Sequence, residues 1–273
     1  MTVAHRRIRL DALLVERGLA SSRAKAQAAI LAGEVYVNGV RAAKAGMTVA
    51  DDAAVELRPS RPAFASRGGL KLDHALREFG IAPDGLVAVD VGASTGGFTD
   101  CLLQRGASRV AAIDVGTGQL DWRLRNDPRV RSLEQHDVRD VTADDLGGLA
   151  DLATVDVSFI SLGKILPAVR RLLKLSGTAV VLVKPQFEAG SKQLKRGVVR
   201  EAAVHRRVLG DVIETARSGG WSVLRATPSP VAGPEGNLEF FLLLKNVRGE
   251  SIEIDVESMV AQAHDTVLGA ARR

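Results

Sequence analysis

Asp90-Val91-Gly92-Ala93-Ser94-Thr95-Gly96-Gly97-Phe98-Thr99 follows an apolar run, Leu86 to Val89, and leads into an amphipathic segment that begins at Asp100. Strand, glycine turn and helix in that order form the loop at which open α/β sheets hold a cofactor. The spacing narrows the kind of cofactor. A dinucleotide fingerprint needs Gly-x-Gly-x-x-Gly to bring backbone N–H groups against a pyrophosphate, and a phosphate loop needs Gly-x-x-x-x-Gly-Lys-Ser/Thr. Here Ala93, Ser94 and Thr95 separate Gly92 from Gly96-Gly97, and no Lys-Ser/Thr pair follows. Such a loop suits a nucleoside whose tail is an amino acid rather than a phosphate chain.

S-adenosylmethionine is a cofactor of that kind, and the segments after the loop fit it. A second strand, Val110 to Ile113, ends in Asp114, placed to take both ribose hydroxyls; a third leads to His136-Asp137, whose acid could face the adenine amino group. One Asp after a strand is commonly a turn or cap residue. Asp90, Asp114 and Asp137 in succession, each at the carboxyl end of an expected strand, mark the edge where ligands of such sheets collect. The cofactor contacts are therefore read as Asp90, residues Gly92 through Thr99, Asp114, Asp137 and Asp156.

Seven strands are expected, at 86–91, 109–114, 129–133, 152–157, 178–183, 221–226 and 238–244, with helical patterns between most of them. Their alternation implies a largely parallel sheet covered on both faces. The last run, Leu238 to Leu244, is almost unbroken in its apolarity and is expected at the centre of the sheet. Residues 250–273 read as a carboxyl-terminal helix to which no function attaches.

The chain has 273 residues, 46% of them hydrophobic, enough for two domains with packed cores. Net charge is +5, and the first sixty residues hold nine Lys/Arg against six Asp/Glu, which permits a nucleic-acid partner. Cys101 is the only cysteine, which excludes an internal disulfide and a multi-cysteine zinc site, and no metal is expected. No apolar stretch reaches the roughly 18 residues of a membrane span, and Asp11 and Glu16 interrupt what might otherwise be a signal peptide. A cytoplasmic protein without membrane contact is expected, with no obligate protein partner.

Toward the amino terminus, Leu10, Leu13, Leu14 and Val15 recur at helical spacing up to Gly18. Ser21 or Ser22 can cap a second helix that buries Ala26, Ala29 and Ile30 and stops at Gly33. Val35-Tyr36-Val37, Asn38-Gly39 and Val40 then make a hairpin, with Val55 to Leu57 closing the unit. Arg9-Leu10-Asp11, Glu16-Arg17-Gly18, Ser22-Arg23 and Val35-Tyr36-Val37-Asn38-Gly39 resemble the small RNA-binding domain named after ribosomal protein S-four. That resemblance, over about fifty residues, implies a basic face in which Arg6, Arg9, Arg23, Lys25 and Arg41 contact phosphates. Tyr36 is the only tyrosine in the chain, so recognition by shape and phosphate fits this unit better than base stacking. Domain limits are set at 1–59 for this unit, 60–66 for a linker around Arg58-Pro59-Ser60-Arg61-Pro62, and 67–273 for the cofactor domain.

Four polar positions fall where the sheet would deliver them to one edge: Lys71 before the first strand, Asp156 ending the fourth, Lys184 ending the fifth and Glu239 entering the seventh. Read singly, Lys71 is an ordinary lysine of an amphipathic helix and Glu239 an ordinary strand-end partner. Lys184 is the most informative, because a buried strand delivers it to the crevice. An unperturbed lysine titrates near ~10.4 and is a poor base at neutrality; a neighbouring cation with partial burial brings such a group toward ~7 to 8. The two acids would hold the amines in place.

Ser66-Arg67-Gly68-Gly69-Leu70-Lys71-Leu72, Asp90 to Thr99, Asp156-Val157-Ser158-Phe159-Ile160-Ser161, Lys184-Pro185-Gln186-Phe187-Glu188 and Gly236-Asn237-Leu238-Glu239 together resemble the TlyA family over essentially the whole chain. These are ribosomal RNA 2′-O-methyltransferases related to the FtsJ group, and many carry a haemolysin label. The resemblance implies a Rossmann-like seven-stranded methyltransferase sheet preceded by the small α+β RNA-binding domain. It also implies a Lys71-Asp156-Lys184-Glu239 tetrad, S-adenosylmethionine, and a cytidine ribose in ribosomal RNA or ribosomal subunits as acceptor. The chain departs from the family in one respect, carrying Phe64 where a linker tryptophan is usual.

Two rival readings follow from other features. Amino methylation of a base is suggested by Asp156-Val157-Ser158-Phe159, which faintly resembles the Asn/Asp-Pro-Pro-Tyr motif but lacks both prolines and would not need the two lysines. A cysteine nucleophile is set aside, because Cys101 lies in the helix after the loop. A pore-forming haemolysin is suggested by the family label alone, and no export signal or membrane-crossing amphipathic hairpin supports it.

Overall fold

The computed structural model describes residues 6–58, 63–190, 193–194, 196–249 and 252–268. The chain divides after residue 62 into two compact units. Residue 59 and residues 60–62 of the expected linker lie outside the described residues. Its remaining part, 63–66, packs on the second unit: the Ala63 carbonyl accepts from Gln104, the Ala65 N–H donates to Asp100 Oδ2 at 2.8 Å, and Phe64 is buried.

The first unit begins with strand β1 (Arg7–Arg9) and helices α1 (Leu10–Glu16) and α2 (Arg23–Leu31). Ser22 caps α2 by accepting from the Lys25 N–H, as the sequence suggested. Strands β2 (Val35–Val37), β3 (Val40–Arg41), β4 (Thr48–Ala50) and β5 (Val55–Leu57) follow. Asn38 and Gly39 both take positive φ, 49° and 79°, which is the two-residue turn that matches strand twist. β2 pairs with both β3 and β5, while β1 pairs with β4, two short strands that were not expected because neither alternates over enough residues. Leu10, Leu13, Leu14, Ala26, Ile30 and Val35 form the core of this unit.

The second unit opens on α3 (Gly68–Phe79), then β6 (Val87–Val91), α4 (Gly97–Gln104), β7 (Arg109–Asp114), α5 (Trp122–Arg125) and β8 (Val130–Glu134). Next come α6 (Ala143–Leu146), β9 (Ala150–Val155), α7 (Leu162–Leu172), β10 (Leu173–Val183) and α8 (Pro185–Glu188). Helix α9 (Ala202–Ser218), β11 (Ser222–Pro228), β12 (Phe240–Lys245) and α10 (Val256–Ala263) complete it. The strands make one sheet in the order β11-β12-β10-β9-β6-β7-β8. β10, β9, β6, β7 and β8 run parallel, and β12 is antiparallel to both of its neighbours.

Side chains alternate between two cores. Val89, Val91, Val155, Val181, Val183, Phe240 and Leu242 pack on the face covered by α7, α9 and α10; Ala88, Val110, Leu152, Val180, Leu182, Phe241 and Leu243 pack on the face covered by α3 and α4. Burial on both faces explains the near-continuous apolar runs. The expected central place of Leu238 to Leu244 needs adjustment: β12 is second from the edge, paired on both sides, and starts only at Phe240. The expected carboxyl-terminal helix is present as α10 and a short continuation at His264–Leu268, with residues 250–251 and 269–273 outside the described residues.

Candidate active site

The glycine loop is fastened to the end of β7. Gly92 and Ala93 donate their N–H groups to the Ile113 carbonyl at 2.9 and 3.1 Å, and the Ser94 N–H donates to Asp114 Oδ2 at 2.7 Å. Gly92 has φ +84°, and a Cβ there would stand 2.4 Å from the Asp156 carbonyl oxygen, so only glycine fits. Gly96 has φ +93° and closes over Leu120 and Leu124. The turn into α4 is thus a backbone shelf at the carboxyl edge of β6.

Two adjoining clefts share that shelf, with Gly92, Ser94 and Asp156 lining both. The first, about 340 Å³, has apolar walls from Ile113, Val115, Val138, Val157, Ile160 and Ile165, with Asp114 and Asp137 among them. Asp114 spends one lone pair of each oxygen on the N–H groups of Ser94 and Gly116, leaving acceptor capacity toward the cleft. Asp137 is held by the Arg139 guanidinium at 2.6 Å, which, as the larger cause, keeps its carboxyl below the ordinary range. The second cleft, about 250 Å³, is lined by Lys71, Asp156, Lys184 and Glu239 together with Arg67, Ala93, Thr95, Gly97 and Phe98.

Sheet register explains why residues so far apart in sequence meet. Val181 pairs with Val155 in parallel and Val183 with Phe240 in antiparallel, so Asp156 and Lys184 leave the ends of their strands just where Glu239 enters β12. The reversal of β12 is what brings its first residues to the edge where β9 and β10 end. Lys71 arrives from the first turns of α3. The four divide into two ion pairs, Lys71 Nζ to Glu239 Oε2 at 2.5 Å and Lys184 Nζ to Asp156 Oδ1 at 2.6 Å. Lys184 also donates to Ser158 Oγ at 3.0 Å. Lys71 and Glu239 are 8% and 1% exposed, so their charges are sustained by each other. Burial pushes the Glu239 carboxyl upward, and Lys71 opposes it. Glu239 Oε1 is buried with no hydrogen-bond partner among the described residues, and the bare Cα of Gly233 makes room for it.

Three expected cofactor residues, Asp90, Gly96 and Thr99, line neither of these clefts. Asp90 is fully buried beneath the loop, where its carboxylate accepts from Thr99 Oγ1 at 2.7 Å and Thr154 Oγ1 at 2.9 Å, and burial raises its pKa to about 7. Neither Asp90 nor Thr99 lines a cleft; they brace β6, α4 and β9 against one another. Gly96 likewise supports the loop from below. Ser158, Arg67, Gly233 and Gln119 line or support the site and were not singled out. Arg67 and Ser158 lay within recognised motifs; Gly233 and Gln119 carry no local signal. Cys101 is buried in α4, which pushes its thiol up to about 12, so it is not a nucleophile.

In the first unit, Arg9 and Arg23 both reach the buried Asp11, at 2.8 and 3.1 Å, with Gln27 adding a third donor. Arg9 is the main reason that the Asp11 carboxyl lies far below its ordinary range. Two guanidiniums, each half exposed, share one carboxylate and leave surplus positive charge on a fixed scaffold. Arg6, Lys25 and Arg41 are exposed.

Residues 64–246 match the FtsJ-like methyltransferase family, and residues 8–55 match the S4 domain. YqxC of Bacillus subtilis (strain 168), provisionally named an rRNA methyltransferase, is 44% identical over 266 residues, 95% of each chain. The 16S/23S rRNA (cytidine-2′-O)-methyltransferase TlyA of Mycobacterium tuberculosis is 46% identical over 242 residues, 88% of this chain and 90% of that one. A solved structure from Streptococcus thermophilus, provisionally named a hemolysin, superposes with a TM-score of 0.77 at 41% identity and covers 99% of this chain and 100% of its own. No helix among the described residues is long and apolar enough to cross a membrane. With a family match across the sheet and relatives of this identity along nearly its full length, the chain belongs to the FtsJ-like methyltransferases, in the TlyA family.

Proposed function

We propose that this protein moves the methyl group of S-adenosylmethionine to the 2′-hydroxyl of a cytidine ribose in ribosomal RNA. The observation that carries the reading is the lining of one cleft by two lysine–carboxylate pairs, continuous through Gly92, Ser94 and Asp156 with a cleft suited to a nucleoside. The residues fit the cofactor: apolar walls for the adenine, Asp114 for the ribose hydroxyls, and the backbone shelf at Gly92 and Ser94 where the two clefts meet. The relatives' names point to the cytidine ribose.

When bound, S-adenosylmethionine supplies an electrophilic methyl group on a sulfonium. The protein's share is alignment and proton handling. At Lys184 the Asp156 carboxylate at 2.6 Å and the Ser158 hydroxyl at 3.0 Å hold the nitrogen at the cleft, where in its neutral form it would carry a lone pair. That lone pair would take the hydroxyl proton, which contributes roughly 10² to 10⁴ in rate. Lys71, fixed by Glu239, keeps a positive charge beside the developing oxyanion. Holding the acceptor in line would supply the larger part, since effective molarities of about 10⁵ M and above are accessible to aligned reactants.

The exposed Arg67 guanidinium on the acceptor cleft supports an anionic acceptor. Arg6, Lys25, Arg41 and the outer faces of Arg9 and Arg23 would hold RNA phosphates, without need of a protein partner or a membrane, in the cytoplasm where ribosomal RNA resides. Ribosomal subunits incubated with labelled S-adenosylmethionine and then digested should yield 2′-O-methylcytidine. Lys184→Ala should abolish transfer while calorimetric cofactor binding survives. A methyl group on a base nitrogen, or a K184A enzyme at the normal rate, refutes the assignment.

A further inference from the structure

Of the two tryptophans in this chain, Trp221 is buried at 2% exposure, while Trp122 is 75% exposed. No ring or cation stacks on the Trp122 indole among the described residues. An indole held in water is unfavourable for the isolated protein, yet its mount is rigid. Leu120 and Leu124, two residues to either side, are buried beneath Gly96, where a Cβ would approach their Cδ1 atoms to 2.8 and 2.3 Å. The Asp121 side chain caps α5 by accepting from the Arg123 N–H at 2.9 Å, and the Asp121 N–H donates to the Thr95 carbonyl at 3.2 Å. Asn126 Nδ2 donates to the Trp122 carbonyl at 2.7 Å. The indole is therefore presented by a turn whose backbone is bonded directly to Thr95, a residue of the acceptor cleft.

The surroundings favour a nucleobase over a protein surface. Arg123, Arg125, Arg129 and Arg131 follow within nine residues, the first three tethered to Asp121, Glu134 and Asp127, and between Val115 and Leu149 no other large hydrophobic side chain is exposed, unlike the apolar centre of a protein hot spot. A preordered aromatic face beside arginines is the arrangement on which nucleic-acid bases stack, whatever their identity.

We propose that Trp122 stacks on a base next to the target nucleotide and so positions the acceptor RNA over the cleft. It is a positioning residue, and its role rests on the methyltransferase reading above. Wild-type enzyme that methylates subunits establishes that reading independently; Trp122→Ala and Trp122→Phe are then compared with it. Trp122→Ala should lower kcat/KM for ribosomal RNA roughly 5- to 150-fold, the span of one stacked base, chiefly through KM. Cofactor affinity and melting temperature should be unchanged, and Trp122→Phe should recover most of the loss. Because Trp221 is buried, RNA added to wild-type protein saturated with S-adenosylhomocysteine should quench the emission of Trp122, and Trp122→Phe should abolish that quenching. Unchanged kcat/KM in Trp122→Ala, or wild-type emission indifferent to RNA, overturns the proposal. So does self-association that Trp122→Ala abolishes while RNA kinetics stay the same, which would make the indole a contact between copies.

Discussion

Replacing Gly92 by alanine tests whether the glycine loop sets the catalytic geometry or merely tolerates it. The new Cβ would lie 2.4 Å from the Asp156 carbonyl oxygen and 2.9 Å from its carbon, so loop and strand end must part by about 0.6 Å to reach the 3.0 Å floor of real contacts. The backbone cannot rotate away cheaply, because the Gly92 N–H is bonded to Ile113 and the Asp156 N–H to Val91, both at 2.9 Å. Asp156 therefore moves, and Lys184 with it. A misplacement of 1 Å costs about 10²-fold in rate, so a 10- to 100-fold loss of single-turnover rate at saturating cofactor is expected. Stability should fall as well: about 1–2 kcal/mol for alanine at φ +84° and about 1–3 kcal/mol for overpacking, together a drop of roughly 5–15 °C in melting temperature. Gly80, the C-cap of α3, is the matched control, with φ +68° and nothing within 4 Å of a Cβ. Gly80→Ala carries the conformational cost alone and should leave the rate untouched. If Gly92→Ala turned over within threefold of Gly80→Ala, the loop would not be what positions Asp156, and the account of the site would fail.

Glu239→Ala strands the buried Lys71 ammonium and should cost about 3–5 kcal/mol in urea denaturation along with activity, whereas Glu239→Gln should cost less stability while still losing most turnover. His205, buried against His264 at 3.1 Å, has its pKa lowered to about 4 by burial first and by His264 second, so the folded state binds fewer protons than the unfolded one below pH 6.5. Its contribution is complete above about pH 6.5 and is lost as pH falls through about 4, a change of roughly 3 kcal/mol in denaturation free energy that His205→Gln should remove. Asp90→Asn keeps a polar partner for Thr99 and Thr154 and should melt within a few degrees of wild type, while Asp90→Ala leaves two buried hydroxyls unpaired and should lose about 2–4 kcal/mol.

The parts of this molecule that could be read in its sequence are those whose signal is local. Asn38-Gly39, Ser22 before α2 and the apolar runs of the sheet each state their own conformation, because turn chemistry, capping and burial act within a few residues. Asp90 shows where that logic stops. An acid at a strand end looks the same whether it faces a ligand or the interior, and only the hydroxyls of Thr99 and Thr154, brought from α4 and β9, decide for the interior. The tetrad shows the same limit at longer range. Convergence at one edge could be expected from strand order, but the division into Lys71–Glu239 and Lys184–Asp156 depends on β12 running backwards, which no window of sequence reports. Had β12 run parallel to β10, its first residues would lie at the opposite edge, and Glu239 could not reach Lys71. The reversed strand is therefore a requirement of the proposed chemistry: it allows an acid that precedes a strand to join three groups, two of which follow theirs, and it leaves the proposed base and the buried cation each with its own carboxylate.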